Sequence, residues 1–308
     1  MKRYVWVLLL AACSSGDDGD DMTTPRDGGV ATVGGYATCA DDARVGQIVL
    51  ELRAQFTSVQ GAVTNGVRPI DVPVVDVEDG DCVLVSPPSL FCDPACAGGM
   101  TCGPDNTCVP LPENQDLGTV TIDGLTAPVE MTARAPVYFY NFLGDLPHPA
   151  FAQGDAIAMS ASMGPSMATV GVAPLEVSTS SLAVERDVAS TLEWTAAADD
   201  DGVRMELELS IANHGGTPGR ILCTIADSGS FTIPVALTNA LLDRGFSGFP
   251  SVTLTRQGAQ TGAASDGCME LVARSEVVVP IEIPGLTSCS NDDDCPGAET
   301  CQPDLTCG

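Results

Sequence analysis

The chain is almost without lysine: Lys2 is its single one, and 13 basic residues stand against 41 acidic ones for a formal net charge of -28. Chemistry that needs a lysine amine, such as Schiff-base formation, has no residue to use beyond position 2. Nucleic acid is not an expected partner, because its affinity rests on clustered cations that neutralise phosphates. Histidine occurs only as His148 and His214, which leaves little material for acid–base relays. No Cys-x-x-Cys pair is present, so dithiol redox chemistry of that type is not expected. Aromatics make up 5%, while valine, threonine, alanine and glycine are plentiful, a mixture that suits strands and turns. No cofactor is expected.

What is present begins at the N-terminus. Lys2-Arg3 precede an apolar run from Tyr4 to Ala12, the order of a secretory leader, and the run is too short to span a bilayer, which takes about 20 residues. Leu10-Ala11-Ala12-Cys13 resembles the lipobox of bacterial lipoproteins, the end of a type II signal peptide, at all four positions. The resemblance implies cleavage before Cys13, a diacylglyceryl thioether on its sulfur and acylation of the new amino group. Two or more acyl chains suffice for stable anchoring, at about 0.8 kcal/mol per buried methylene. Ser14 in place of Asp after the cysteine implies, in that family, sorting to an outer membrane. The membrane, reached through the lipid on Cys13, is therefore the first expected partner. Residues 1–12 read as the signal peptide and 13–35 as a disordered acidic tether.

Twelve further cysteines remain, an even number in an exported chain, and disulfides are their expected state. Cys92, Cys96, Cys102 and Cys108 form one cluster (92–108), and Cys289, Cys295, Cys301 and Cys307 another (289–308). Aligned on their last three cysteines, both read C-x-G-x-x-T-C-x-P-D-x-T-C, a repeat. Neither copy has the apolar residues for a core, so staples must hold it; four cysteines allow three pairings. The spacing is similar to that of small secreted dickkopf-type cysteine-rich modules, which implies an extracellular knob. Zinc is the competing reading, but its ligand pairs are usually spaced more closely. For Cys39, Cys82, Cys223 and Cys268, proximity along the chain suggests Cys39 with Cys82 and Cys223 with Cys268.

Between these landmarks the pattern is strand-like. Residues 36–91 read as a small N-terminal β region, 109–115 as a Pro-rich linker, and 116–284 as the main domain. Val203, Met205, Leu207, Leu209 and Ile211 alternate with Arg204, Glu206, Glu208 and Ser210, the period of a strand with one wet face. Many further short runs separated by turn residues give an all-β fold, and the pattern resembles an antiparallel immunoglobulin-like β-sandwich with Trp194 as its core tryptophan. The one expected helix is Val235 to Leu242, after Pro234.

Catalytic constellations are sparse. His214, in Asn-His-Gly-Gly, faintly resembles the histidine–glycine loop of esterases, yet the required G-x-S-x-G elbow fails at Phe249 in Gly245–Phe249. The acidic runs Asp199–Gly202 and Asp76–Asp81 lack the calcium-loop spacing, and turn chemistry accounts for them. Asp292, Asp293 and Asp294 read as a solvated loop. Tyr138, Tyr140 and Phe142 would share one strand face, and facing outward they would offer a stacking platform for sugars or a partner protein. The expectation is a non-enzymatic, lipid-anchored cell-envelope protein for adhesion, recognition or structure, with an envelope protein or a glycan as partner. The alternative is an anchored hydrolase of polysaccharides or esters.

Overall fold

The computed structural model describes residues 34–198, 201–211 and 219–308. The signal peptide, Cys13, almost all of the tether, His214 and Asp199-Asp200 lie outside the described residues. Eighteen strands follow in chain order: β1 (Arg44–Leu52), β2 (Thr57–Val63), β3 (Val74–Asp79), β4 (Cys82–Ser86), β5 (Met100–Cys102), β6 (Cys108–Pro110), β7 (Thr119–Asp123), β8 (Val129–Thr132), β9 (Tyr140–Asn141), β10 (Ala156–Ala161), β11 (Ser166–Val170), β12 (Leu182–Ala183), β13 (Ser190–Glu193), β14 (Val203–Ser210), β15 (Arg220–Ile225), β16 (Ser230–Ile233), β17 (Ser251–Ala264) and β18 (Gly267–Glu282). The expected helix is there as α1 (Val235–Leu242), entered from Pro234.

The fold is all-β and built on one ten-stranded sheet of order β3-β4-β15-β14-β17-β18-β1-β2-β9, with β12 also paired to β18. β1 and β12 each run parallel to β18, so the sheet is mixed where the sequence suggested an antiparallel one. The small N-terminal β region leans on the main domain, since β1 to β4 lie in this sheet beside strands from residues 203–282. Long-range pairing of this kind leaves no local signature. The long β17–β18 hairpin forms the spine. The sequence shows its two outer parts as strand-like runs, Val252–Thr255 and Glu270–Ile283, while Gly258 and Gly262 interrupt the pattern between them. Gly258 is required by packing: a Cβ there would lie 2.5 Å from the Val170 carbonyl oxygen.

One face of the spine is buried throughout, against two different layers. Met269, Leu271 and Ala273 of β18 join Ile48 and Leu50 of β1 in a core closed by the four-stranded sheet β11-β10-β7-β8. Farther along the same face, Val279 and Ile281 join Leu207, Leu209, Ile221 and Leu254 in a second core. That core is closed by the β13–β16 pair and by Leu237 and Leu241 of α1.

Between the two cores sits a charge. The Arg256 side chain, on β17 between Leu254 and Gly258, is 2% exposed and pairs with Asp227 at 2.7 Å. Its five N–H donors all find acceptors: Nε and Nη2 on the Asp227 carboxylate, Nη1 on the carbonyls of Ala173 and Pro174, and Nη2 on the Thr195 carbonyl. Asp227 also accepts from the Trp194 indole at 2.7 Å and from Ala197 N. Burial alone would raise the Asp227 pKa, but these donors, Arg256 foremost, outweigh it and hold the carboxyl below its ordinary value. The crossing segment from β11 to β12 is thereby pinned at the seam, with Leu175 N donating to Ser275 Oγ at 2.9 Å.

All twelve cysteines other than Cys13 are in disulfides, and two of the pairings differ from those suggested by proximity. The bonds are Cys39–Cys268 and Cys82–Cys223. Cys82 lies directly opposite Cys223 in the antiparallel β4–β15 ladder, and register decides the pairing. The entropic preference for a shorter loop is only about 0.6 kcal/mol per doubling of length. The two repeats carry the same connectivity, first cysteine to third and second to fourth: Cys92–Cys102 with Cys96–Cys108, and Cys289–Cys301 with Cys295–Cys307. The close approach of Cys92, Cys96 and Cys108, and of Cys289, Cys295 and Cys307, is that of neighbouring disulfides. Asn106 and Leu305, equivalent positions in the two Pro-Asp turns, both take positive φ, 54° and 61°.

Replacing Arg256 by Met would leave Asp227 buried without its cation. Loss of one partner from a buried pair costs about 3–5 kcal/mol, so chemical denaturation of Arg256→Met should show a midpoint loss of that size. A loss below about 1 kcal/mol, the range of a surface pair, would contradict the seam's structural role.

Candidate functional site

The opposite face of the ten-stranded sheet carries no covering layer of strands, and it is polar. Glu206 and Glu208 of β14, Thr253 and Thr255 of β17, Arg274 and Glu276 of β18, and Gln47 and Val49 of β1 all point to this side, as the two-residue period of each strand requires. The connection from β2 to β3, residues 64–73, runs along this face and walls a groove of two lobes. The lobe over β1 and β2 has a volume of about 520 Å³ and is lined by Gln47, Gln60, Thr64, Arg68, Ile70, Asn114 and Phe139 among others. The lobe over β14, β15 and β17 has about 740 Å³ and is lined by Asp41, Asp81, Glu206, Glu208, Thr253 and Glu276 among others. Arg44, Asp71, Arg220 and Arg274 border both.

The chain enters the fold on this face. Tyr36 N donates to the Asp201 carbonyl at 3.1 Å and Ala37 N to the Ala259 carbonyl at 3.0 Å, and Cys39 is bonded to Cys268 at the start of β18. Two carboxylates, the half-buried Glu206 and the buried Glu270, receive the segment. Tyr36 OH donates to Glu206 at 2.8 Å, and Cys39 N donates to Glu270 at 2.7 Å. Burial raises the pKa of Glu206, opposed by the Tyr36 hydrogen bond and by Arg44. Burial likewise raises Glu270, opposed by Cys39 N and Arg44. Tyr36 is itself pushed up, first by burial and then by the Glu206 charge. Gln257 completes the set, donating to Tyr36 OH at 2.7 Å.

Chemically, this is a surface of planar hydrogen-bonding groups. Guanidinium, carboxamide and carboxylate side chains offer paired donors and acceptors, and Phe139, 45% exposed, lines the groove as a flat apolar face. Nothing in the sequence marked the groove, because its parts come from stretches scattered between residues 38 and 276, each of which reads locally as ordinary surface.

The aromatic platform expected from the sequence is corrected. Tyr140 is fully buried and Phe142 packs on the first core, while Tyr138 sits half-buried in a turn at φ 41°. The outward residues are Val137 and Phe139. One side of this short strand faces the first core, and Tyr140 and Phe142 take it while Val137 and Phe139 face solvent. Tyr140 OH accepts from Leu117 N at 2.7 Å and lies 3.1 Å from the Gly118 carbonyl. Burial raises its pKa to about 12, against the Leu117 hydrogen bond.

The remaining sequence motifs serve the backbone. Asp76 accepts from Ser86 Oγ at 2.6 Å and from Arg244 at 3.0 Å, and Gly80-Asp81 is the β3–β4 turn. Asp292 and Asp294 accept from Cys301 N and Ser290 N. Gly245–Phe249 lies on a helix-to-strand passage, the reverse of a nucleophile elbow. His148 Nδ1 is 3.0 Å from Thr57 Oγ1, a buried hydroxyl that also accepts Ala150 N and lies outside the groove.

No protein-family model matches the chain, and no curated protein sequence does. Among solved structures, the FN1-FN3 domains of chicken CNTN1 overlap 70% of this chain and 70% of that one at 8% identity, with a TM-score of 0.18. An overlap at that level carries no argument about function. The six disulfides place the folded body in an oxidising, extracytoplasmic compartment. No helix among the described residues is long and apolar enough to cross a membrane.

Two outcomes follow from these geometries. Tyr140→Phe strands the Leu117 amide without its acceptor and should lower stability by about 1–3 kcal/mol, the cost of one orphaned buried donor, measurable by urea titration. Glu206 binds its proton more readily folded than unfolded, so it lowers stability as pH rises from 4.5, its ordinary value, through the raised one. Glu206→Gln keeps an acceptor for Tyr36 OH and removes that charge. Melting profiles from about pH 4.5 to pH 8 should therefore be flatter for Glu206→Gln, with the higher melting temperature at the alkaline end; an unchanged slope would show that Glu206 is not the titrating group.

Proposed function

We propose that this protein is a non-enzymatic, lipid-anchored envelope protein that uses the groove on the open sheet face to recognise a glycan. The observation that carries the reading is the groove itself, whose lining of more than thirty residues includes thirteen arginine, glutamine, asparagine, aspartate and glutamate side chains, on a sheet face without a covering layer of strands. The lipobox at Leu10–Cys13 supports the anchor, and Ser14 supports the outer membrane as its address. The acidic tether would carry the body off the surface, and the repeated cysteine modules, stapled and small, suit an exposed adhesive or structural role.

Hydrolysis is the second reading, favoured by one observation: Glu206 lines the groove with its pKa raised by burial, the state of a general acid. Both readings are separable in one experiment. Full-length protein extracted from membranes in detergent should carry an acylated Cys13 by mass analysis of its N-terminal peptide. On an oligosaccharide panel it should bind without releasing new reducing ends, and Gln60→Ala should weaken binding about tenfold, the loss of one well-placed hydrogen bond. New reducing ends that disappear in Glu206→Gln would replace recognition by hydrolysis. An unmodified Cys13 would remove the anchor from the reading.

A further inference from the structure

The two lobes of the groove differ in charge. The lobe over β1 and β2 is bordered by Arg44, Arg68, Arg220 and Arg274 with Asp71 as its one acidic residue, in a chain whose net charge is -28. Four of its few cations converge there. The other lobe shares Arg44, Asp71, Arg220 and Arg274 with it and adds Asp41, Asp81, Glu206, Glu208 and Glu276, so that acids outnumber arginines there by six to three. Resting on the recognition reading above, we propose that the ligand is a heteroglycan in which a carboxylate-bearing sugar, a uronic acid residue, sits in the arginine lobe and an adjoining uncharged sugar sits in the acidic lobe.

The arginines already have partners, and the kind of partner matters. Arg68 pairs with Asp71 at 2.6 Å and Arg220 with Glu208 at 3.2 Å, both with exposed side chains, while the half-buried Arg44 pairs with the exposed Asp41 at 3.0 Å and lies 3.9 Å from the buried Glu270. Exposed pairs of this kind contribute little, so a ligand carboxylate can share or displace these partners at small cost. Arg274 is more deeply set between Glu51 and Glu276, and its Nε is buried without an acceptor. A carboxylate offers two coplanar oxygens to the guanidinium fork. At about 520 Å³ the lobe has the size of a small-ligand site, and Gln47, Gln60 and Asn114 line it as hydroxyl partners. The acid-lined neighbour repels a second carboxylate, which argues against a homopolymer of uronic acid, and the overall charge of the chain argues against densely sulfated or phosphorylated chains.

The test is calorimetric titration of the full-length, detergent-extracted protein with four probes of equal length: a mixed uronate–neutral oligosaccharide, its carboxyl-reduced form, an oligogalacturonate and a sulfated oligosaccharide. The mixed oligosaccharide should bind at least tenfold more tightly than each of the others. Arg68→Ala and Arg220→Ala, both surface changes that leave the cores intact, should each remove about tenfold of that affinity and leave the carboxyl-reduced probe unaffected. Arg68→Lys, which keeps the charge without the fork, should recover part of it. Equal binding of the carboxyl-reduced form overturns the uronate assignment while leaving glycan recognition in place. Stronger binding of the sulfated probe or of the oligogalacturonate overturns the division of labour between the lobes. Binding of none of the four overturns this assignment and counts against the recognition reading as well.

Discussion

Arg256 is the constraint on which the architecture depends. A single long sheet cannot bury one face under a single layer when its two halves carry different partners, and the passage from one layer to the other must cross the spine. At that crossing the backbone leaves regular pairing, and its carbonyls need donors. Arg256 supplies them from inside, with Asp227 as the counter-charge and Trp194 and Ala197 as further donors to that carboxylate. A lysine has three donors on one atom and could not reach four separate acceptor groups. Arginine at this point is a matter of geometry.

Placing both layers on one side of the sheet has a consequence for the other side. The open face must be wet, and the strands obey: threonine, glutamate, glutamine and arginine alternate with the core residues of β14, β17 and β18. Two structural ties then shape it. Cys39–Cys268 fixes the incoming chain over the sheet, and Cys82–Cys223 fixes β4 against β15; Cys39 and Cys223 both line the larger lobe. This segment lies over the carboxylates of Glu206 and Glu270, half-buried and buried respectively, and loss of water there is the first cause of their raised pKa values.

Local features were legible in the sequence, and long-range ones were not. The alternation from Val203 to Ile211 gave a strand at its observed place, Pro234 announced α1, and the Gly, Thr and Pro-Asp offsets identified two modules that prove to share one connectivity. Each of those signals is contained within about twenty residues. The pairing of β1 with β18, and of Cys39 with Cys268, spans more than two hundred residues and has no trace in composition or period. The aromatic strand misled for a related reason: Tyr138, Tyr140 and Phe142 alternate correctly, but alternation does not say which side is wet. The groove was illegible because it is assembled from the solvent faces of strands far apart in sequence, each of which reads as ordinary surface.

The distribution of charge connects these levels. Acidic residues exceed basic ones by about three to one, so the body repels anionic surfaces and other copies of itself at long range. Several cations stand where a fork of donors is used: Arg256 at the seam, Arg244 against Asp76 and Ser86 beside the β3 edge, Arg186 against Asp243 at the end of α1. Those positions are accounted for by the fold. Arg68 and Arg220 are not, since the exposed pairs they make contribute little to stability, whereas Arg44 and Arg274 also face the buried carboxylates of Glu270 and Glu51. A positive lobe is unfavourable to maintain in so acidic a chain unless something negative occupies it, and the small reach of a screened field, about 8 Å at physiological salt, confines that attraction to a ligand already in the groove. Selection by contact and not by long-range steering is the mode of binding that this arrangement permits.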